Sequence, residues 1–150
     1  MQEGINIQSR RVTLRDCKVT DLKDFCVLQC MAIPKKQRKK QIIQRESELL
    51  KELTDSNGNL VLVAILDETK RVIGLIRMQC LETETTISLD ISVPEELKMY
   101  GYGAEALHQF IKVEKDKFER IELNPNNSIV SKYIQERGAI PPVVLVQKEQ

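Results

Sequence analysis

The segment TISLDISVPEELKMYGYGAEA, residues 86–106, decides the fold class of this chain. Apolar and polar residues alternate in its first half, which predicts a strand near 85–93. A polar loop is predicted over residues 95–100, and the apolar spacing that follows predicts a helix near 103–116. The segment therefore indicates a strand, a glycine-containing loop and a helix in direct succession.

The two glycines at the start of this helix, Gly101 and Gly103, indicate a binding site for phosphate. Glycine permits a positive φ and lets the backbone approach a ligand without interference from a Cβ atom. The first amides of a helix lack intrahelical acceptors and lie at the positive end of its dipole, so they favour an anion. We predict that this junction binds a pyrophosphate-bearing cofactor. The candidate contacts are Met99, Tyr100, Gly101, Tyr102, Gly103 and Ala104.

A dinucleotide-binding fingerprint is one alternative explanation of this loop. Gly101-x-Gly103-x-x-Ala106 satisfies that fingerprint when alanine is accepted at its third place. The fingerprint requires a strand that runs straight into the first glycine, followed by several further βα units. Here seven residues, one of them a proline, separate Val93 from Gly101, and fewer than fifty residues follow the loop. A nicotinamide-binding oxidoreductase is therefore the weakest of the hypotheses.

The sequence KMYGYG, residues 98–103, resembles the coenzyme A-binding signature of the GNAT superfamily of N-acetyltransferases. That signature is Arg/Gln-x-x-Gly-x-Gly/Ala at the start of a central helix, and Lys98 occupies its first place here. The spacing from Val93 to the first glycine is also similar to that of the family. The resemblance extends to the order of elements over most of residues 10–146.

The rest of the chain follows the same order. Strands are predicted near 11–15, 60–66, 71–80, 118–123 and 143–146, and helices near 20–31, 36–54 and 128–137. Asn127 lies where a helix N-cap is expected, and Gly138 where the helix should end. Residues 1–9 and 147–150 are expected to be loose ends of a single domain.

The resemblance to GNAT proteins implies a fold, a cofactor and a reaction. The implied fold is an α/β domain with a mixed, mostly antiparallel sheet of six or seven strands, flanked by about four helices. The implied co-substrate is acetyl-CoA, and the implied reaction is acetyl transfer to a primary amine of a small molecule or a protein. The acceptor is not identified by the sequence, and the oligomeric state stays open, a homodimer included.

The same resemblance assigns residues to the cofactor. The strand end from Ile91 to Val93 is expected to pair with the pantetheine arm, and Lys98 to add a positive charge at the phosphates. Asn127, or Asn126, is expected to contact the arm. A helix cap explains each asparagine equally well, and a solvated loop residue explains Lys98 equally well.

The catalytic residues depart from the family pattern. Ile87 lies where many members carry a glutamate, so Asp90, on the opposite parity of the strand, is the candidate general base. Ile134 lies where a tyrosine acid is frequent, and Tyr133, one residue earlier, is the candidate general acid. Asp90 is otherwise a solvent-facing residue, and Tyr133 a half-buried core residue. The alternative function is therefore a GNAT-like domain that binds an acyl-CoA for sensing or interaction without catalysis.

Composition excludes several other classes of function. At 150 residues, with 23 lysines and arginines against 22 acidic residues, the chain gives no reason to expect a nucleic acid partner. The sequence lacks an apolar run of membrane-spanning length and the pattern of a signal peptide, so a cytoplasmic location is expected. The cysteines are expected to be buried reduced thiols and not a metal site: Cys17, Cys26, Cys30 and Cys80.

One basic segment breaks the neutral balance. Six cations and no acid lie within eleven residues: Lys35, Lys36, Arg38, Lys39, Lys40 and Arg45. The segment begins a helix whose later apolar residues are expected to face the core: Ile42, Ile43, Leu49, Leu50 and Leu53. A solvated helix surface is the favoured interpretation, and a landing site for an anionic substrate is the alternative.

Overall fold

A computed structural model describes residues 4–81, 83 and 85–147. The predicted loose ends at residues 1–3 and 148–150 lie outside the described residues. Within the described part, the strands are β1 (Asn6–Gln8), β2 (Thr13–Asp16), β3 (Leu60–Leu66), β4 (Val72–Cys80), β5 (Thr86–Ser92), β6 (Arg120–Leu123) and β7 (Val143–Leu145). The α-helices are α1 (Val19–Gln29), α2 (Lys35–Asp55), α3 (Glu95–Lys98), α4 (Tyr102–Glu114) and α5 (Ser128–Arg137), and a 3₁₀ turn follows α4 at Lys115–Lys117.

The described strands form one mixed sheet whose order follows the chain, from β1 to β7. Neighbouring strands are antiparallel up to β5, whereas β5–β6 and β6–β7 are parallel. The parallel pairs follow from their connections, because α4 and α5 are crossover helices that return the chain to the same end of the sheet. The predicted mixed, mostly antiparallel α/β fold is confirmed. It differs from the doubly wound parallel sheet that a dinucleotide fingerprint requires.

The parallel pair β5–β6 opens toward its carboxyl end. Its register runs from Thr86 opposite Arg120 to Leu89 opposite Leu123 and stops there. On its other side, β5 continues to pair with β4 as far as Ser92, opposite Leu75. The last residues of β5 therefore have a strand on one side and an opening on the other.

The two faces of the sheet carry separate clusters. One face of β5 packs against α4 and α5, and the buried residues that meet there include Ile87, Leu89, Ile91, Leu107, Phe110, Ile129 and Val130. The other face carries Leu62 and Leu75, which pack against Leu22 and Phe25 of α1. Because side chains alternate along a strand, Asp90 belongs to the face of α1 and α2, and Ile87 and Ile91 to the face of α4.

Three predictions are corrected by the structure. Asn6–Gln8 forms an edge strand within a segment expected to be loose. The sequence did not indicate this strand because three residues are too few to display an alternating pattern. The predicted polar loop contains α3, a single turn that begins after Pro94. Ile43 and Leu50 were expected to face the core, but both side chains are exposed. Helix α2 buries none of its described residues fully, so a smaller part of its surface contacts the core than expected.

The prediction of buried thiols is confirmed only in part, since Cys17 and Cys80 are partly exposed, whereas the lysines of the basic segment lie on a solvated helix surface as expected. Cys26 and Cys30 are buried and free, and burial raises the pKa of Cys26 to about 11 and that of Cys17 to about 12. These two thiols are therefore protonated at neutral pH and poor nucleophiles or metal ligands. The lysines that begin α2 are exposed. None of the helices described here has the length and apolar character needed to cross a bilayer.

Candidate active site

The glycine loop forms a tight turn that ends at the N-terminus of α4. Gly101 is the N-cap and adopts a left-handed φ of 76°. The amides of Tyr100 and Gly101 already donate to the carbonyl oxygens of Leu97 and Lys98, both at 3.2 Å, whereas the amide of Glu105 makes the first bond of α4, to Gly101 at 3.1 Å. Helix geometry leaves the amides between these points without intrahelical acceptors. Of the amides predicted to contact phosphate, those of residues 102–104 are therefore the candidate donors. These three amides are called the phosphate seat below.

The two glycines have different roles. A Cβ atom added at Gly101 would have Lys132 Nζ, 3.7 Å away, as its nearest neighbour, so the space beside this residue is open. A Cβ atom at Gly103 would lie 2.8 Å from Ile129 Cδ1. Gly103 thus permits the close packing of α4 on α5, whereas Gly101 has a positive φ and open space on the side where a Cβ atom would project.

A positively charged groove of about 610 Å³ lies over the exposed surface of α4, beside Gly101. Its charged lining consists of Arg10, Arg11, Lys132 and Arg137 together with Glu105 and Glu136. Basic residues outnumber acidic ones, which suits a ligand with several phosphate groups. The sequence did not point to Lys132, because only the packing of α5 beside α4 brings it to the loop.

Lys98, predicted to add charge at the phosphates, contacts two residues of the protein. Its ammonium nitrogen lies 3.1 Å from Glu95 Oε2 and 3.3 Å from Ser128 Oγ. These contacts link α3 to the first residue of α5. The contacts of Lys98 are therefore explained by this link between α3 and α5, and its contact with phosphate stays a prediction.

His108, in the middle of α4, lines the charged groove. Burial, Arg137 and Lys112 lower its pKa, while Glu105 opposes them. Because the folded state disfavours the charged imidazole, the unfolded chain binds a proton more readily as pH falls below the ordinary histidine pKa of 6.5. Stability should be unaffected by His108 above that pKa and should fall as pH drops through it toward the lowered pKa.

We therefore expect a His108→Gln variant to lose less stability than the wild type between pH 7.5 and pH 5.5, two values that bracket the ordinary histidine pKa of about 6.5. Urea unfolding of both proteins at the two pH values measures the difference. Equal losses of the free energy of unfolding in both proteins would contradict the assignment.

Asn127 occupies the opening between β5 and β6. Its Oδ1 accepts hydrogen bonds from the amides of Ile129 and Val130, at 2.9 and 3.3 Å, which is the N-cap role that the sequence indicated. Its Nδ2 donates to the Ile91 carbonyl at 2.8 Å and to Asp90 Oδ1 at 3.0 Å. Asn127 thus joins the start of α5 to the unpaired edge of β5. By the two-residue repeat of a strand, the peptide groups of Ile91 and Val93 face the same opening.

Asp90 is exposed on the opposite face of the sheet, in a groove of about 500 Å³ between the sheet, α1 and α2. Glu48, Glu52, Arg45 and Arg77 supply the other charged side chains of this groove. Arg77 lies opposite Asp90 on β4 and forms an ion pair with Glu52. A groove of mixed charge with a carboxylate at its floor can hold a polar molecule that carries an amine.

Tyr133 lies away from Asp90, on the face of the sheet that packs against α4 and α5. It is buried in the cluster of α4 and α5, with its ring centre 6.4 Å from that of His108, and burial raises the pKa of its hydroxyl. It does not line the groove that contains Asp90. The two candidate catalytic residues therefore occupy different faces of the sheet, and the acid role of Tyr133 stays a prediction.

Comparison with known proteins identifies the fold. No family model and no curated protein sequence matches the chain. Among solved structures, it is similar to a GNAT-family acetyltransferase from Bacillus anthracis, with a TM-score of 0.62 and 13% identity over 88% of this chain and 81% of that one.

Two further solved acetyltransferase structures are also similar to this chain in fold. The microcin C7 self-immunity acetyltransferase MccE, in complex with acetyl-CoA and AMP, aligns with a TM-score of 0.62 and 13% identity over 87% of this chain and 79% of that one. The ribosomal-protein-S5-alanine acetyltransferase from Vibrio fischeri aligns with a TM-score of 0.54 and 14% identity over 91% and 83%. The chain therefore has the GNAT fold.

Proposed function

We propose that this protein is an N-acetyltransferase that moves an acetyl group from acetyl-CoA to a primary amine. The observation that carries the proposal is that a short connection, residues 93–101, joins the end of β5, where β6 no longer pairs with it, to the N-terminus of α4. The open N-terminus of α4 at Gly101 offers amides to a pyrophosphate, and the opened edge of β5 at Ile91 and Val93 offers peptide groups to an extended arm. The GNAT fold of the chain supports the same function.

The chain's own groups have defined tasks in this proposal. The amides of residues 102–104, with Lys132 nearby, hold the pyrophosphate and so fix the position of the thioester. A peptide N–H at the opened edge of β5 donates to the thioester carbonyl and stabilises the oxyanion that forms there. The amine nitrogen forms a bond to the acetyl carbon, and the carbon–sulfur bond breaks so that coenzyme A leaves as a thiolate, which takes up a proton from water. The amine proton passes to Asp90 directly or through water.

The acceptor would enter from the groove of α1 and α2, since Asp90 lies on that face of β5. Amine-bearing small molecules and amines of proteins are both suitable, and the acceptor amine would meet acidic side chains at Glu48 and Asp90. A cytoplasmic location fits a protein whose four cysteines are free. No step of the proposal needs a metal.

Titration calorimetry with acetyl-CoA tests the proposal first, and a panel of amines tests it second. The panel includes polyamines, amino acids, lysine peptides and peptides with free N-termini, and the readout is release of free coenzyme A. We expect acetyl-CoA to bind and at least one amine to release coenzyme A in its presence. Binding of NAD without binding of acetyl-CoA would support the dinucleotide hypothesis instead.

A second candidate function is a non-catalytic acyl-CoA sensor on the same fold. The separation of Asp90 and Tyr133 onto different faces of the sheet favours it, as does Ile87 at the position where many GNAT members carry a glutamate. Transferases that bind an already deprotonated amine do not need a strong protein base, because positioning and desolvation supply much of the rate. Tight acetyl-CoA binding with no acetylation of any amine in the panel would establish the sensor.

Tyr133→Phe tests the acid role directly. Phenylalanine preserves the packing against His108 but cannot protonate the departing thiolate. Because the ring lies in the core, we expect kcat to stay within about threefold of the wild-type value, far below the 10²–10⁴-fold loss typical of removing a general acid. Steady-state kinetics with an identified acceptor measure it, and a fall of about 10²-fold at unchanged stability would assign the acid role to Tyr133.

A further inference from the structure

Arg11, in the turn between β1 and β2, contacts the glycine loop at Tyr100 and the first turn of α4 at Tyr102 and Glu105. Its Nη2 donates to the carbonyl oxygen of Tyr100 at 2.6 Å. Its guanidinium carbon lies 4.4 Å from the ring centre of Tyr102, and its Nη1 lies 3.5 Å from Glu105 Oε1. Arg11 is 89 positions from Tyr100 and still further from Tyr102 and Glu105 in the sequence, so the arrangement exists only in the folded protein.

The groups around Arg11 are themselves held by other segments. The Tyr102 hydroxyl donates to Glu68 Oε1 at 2.7 Å, from the turn between β3 and β4. The Ser9 hydroxyl donates to Glu105 Oε2 at 3.3 Å, from the same turn as Arg11. The β1–β2 turn and the β3–β4 turn thus both form contacts with the glycine loop or the first turn of α4.

Two groups beside the amides of residues 102–104 carry negative charge toward Arg11: a partial charge on the Tyr100 carbonyl oxygen and a full charge on the Glu105 carboxylate. The Tyr100 carbonyl and the Glu105 carboxylate both lie within one turn of the amides of residues 102–104. Unpaired, each would repel a phosphate that approaches those amides. The guanidinium is planar and carries five N–H donors in a fixed arrangement, so its Nη2 and Nη1 face the carbonyl oxygen and the carboxylate at the same time.

We propose that Arg11 is a positioning residue, which fixes the glycine loop and neutralises the two negative groups so that the amides of residues 102–104 accept a pyrophosphate. The inference rests on the proposed function for the ligand, but the contact with the loop exists without one. The Arg11–Glu105 pair is partly exposed, with side-chain exposures of 36% and 25%. A pair of this kind adds little to global stability. The effect of Arg11 should therefore fall on the loop and on ligand affinity.

Arg11→Gln, Arg11→Lys and the matched control Arg120→Gln test this role. Arg120 is an exposed arginine with a glutamate partner, Glu122 at 3.1 Å, on β6. By calorimetry, we expect Arg11→Gln to weaken acetyl-CoA binding about tenfold, as is typical of a lost hydrogen bond to a charged group, and Arg11→Lys to weaken it less because the charge remains. Arg120→Gln should bind as the wild type does.

Two further measurements separate positioning from direct contact with phosphate. In the ligand-free protein, amide hydrogen exchange over residues 99–106 should be faster in Arg11→Gln than in the wild type or Arg120→Gln. Adding Glu105→Gln to Arg11→Gln should restore most of the lost affinity, because it removes the unpaired charge that Arg11 had neutralised. A direct phosphate ligand would give weakened binding with unchanged exchange and no recovery in the double variant, and this result would overturn the proposal.

Wild-type affinity and wild-type exchange in Arg11→Gln would also overturn it. Failure of the wild-type protein to bind acetyl-CoA is a distinct result. That result would refute the proposed function, while the exchange measurement would still decide whether Arg11 holds the loop.

Discussion

Replacing Gly101 by valine should abolish binding of acetyl-CoA. Gly101 has a φ of 76° and an open space where a Cβ atom would project, close to Lys132 Nζ. A β-branched side chain would fill the approach to the amides of residues 102–104 and would favour a negative φ, which turns those amides away. Hydrogen bonds to a charged group contribute about 1.5–3 kcal/mol each, so the loss of two should weaken binding at least about a hundredfold.

Gly58→Val is the matched control for this variant. Gly58, in the turn after α2, has a similar φ of 84°, and a Cβ atom there would meet nothing within 4 Å. Both variants therefore carry the same kind of backbone strain, about 1–3 kcal/mol, and thermal unfolding should show similar losses of stability. Calorimetry then isolates the ligand effect. A folded Gly101→Val protein with wild-type affinity for acetyl-CoA would refute the phosphate seat.

Gly103 is unsuitable for the same test, although the sequence motif treats the two glycines alike. A side chain at Gly103 would press on Ile129 and disturb the packing of α4 on α5. Loss of binding there would report on the fold and not on the ligand. This distinction depends on which helix lies beside α4, and a short motif contains no such information.

Local patterns predicted most of the fold because each relevant element carries its own signal. The alternation of Ile87, Leu89 and Ile91 predicted β5, and the N-cap at Asn127 and the stop at Gly138 predicted α5 with its observed bounds. The parallel pairing of β5 and β6 is a consequence of the crossover helix α4 between them. Short elements were missed, since Asn6–Gln8 and Glu95–Lys98 are too short to show a period.

The candidate site was predicted less completely, because much of it depends on tertiary contacts. The loop and Asn127 carry local signals of turn and cap. Arg11 and Lys132 carry none: they reach the loop from a distant hairpin turn and from a neighbouring helix. The separation of Asp90 from Tyr133 similarly depends on which face of the sheet each residue occupies.

Asp90→Asn should reduce turnover and leave acetyl-CoA affinity unchanged, provided that Asp90 accepts the amine proton. Asparagine retains an oxygen that can accept the hydrogen bond from Asn127 Nδ2, so the junction between β5 and α5 should persist. It cannot accept a proton at neutral pH. Removal of a general base typically costs about 10²–10⁴-fold in rate, so kcat with an identified acceptor should fall by about that factor.

Glu48→Gln is the matched control for the base. Glu48 lines the same groove from α2, and its substitution removes a carboxylate in the same way. Because Glu48 lies on the helix, we expect Glu48→Gln to raise the KM for a cationic acceptor more than it changes kcat. Asp90→Asn, in contrast, should lower kcat. If Asp90→Asn turns over at the wild-type rate, Asp90 serves as the partner of Asn127 at the opening of the sheet. The amine proton would then leave through water, and catalysis would depend on the positioning that Gly101, Asn127 and the edge of β5 provide.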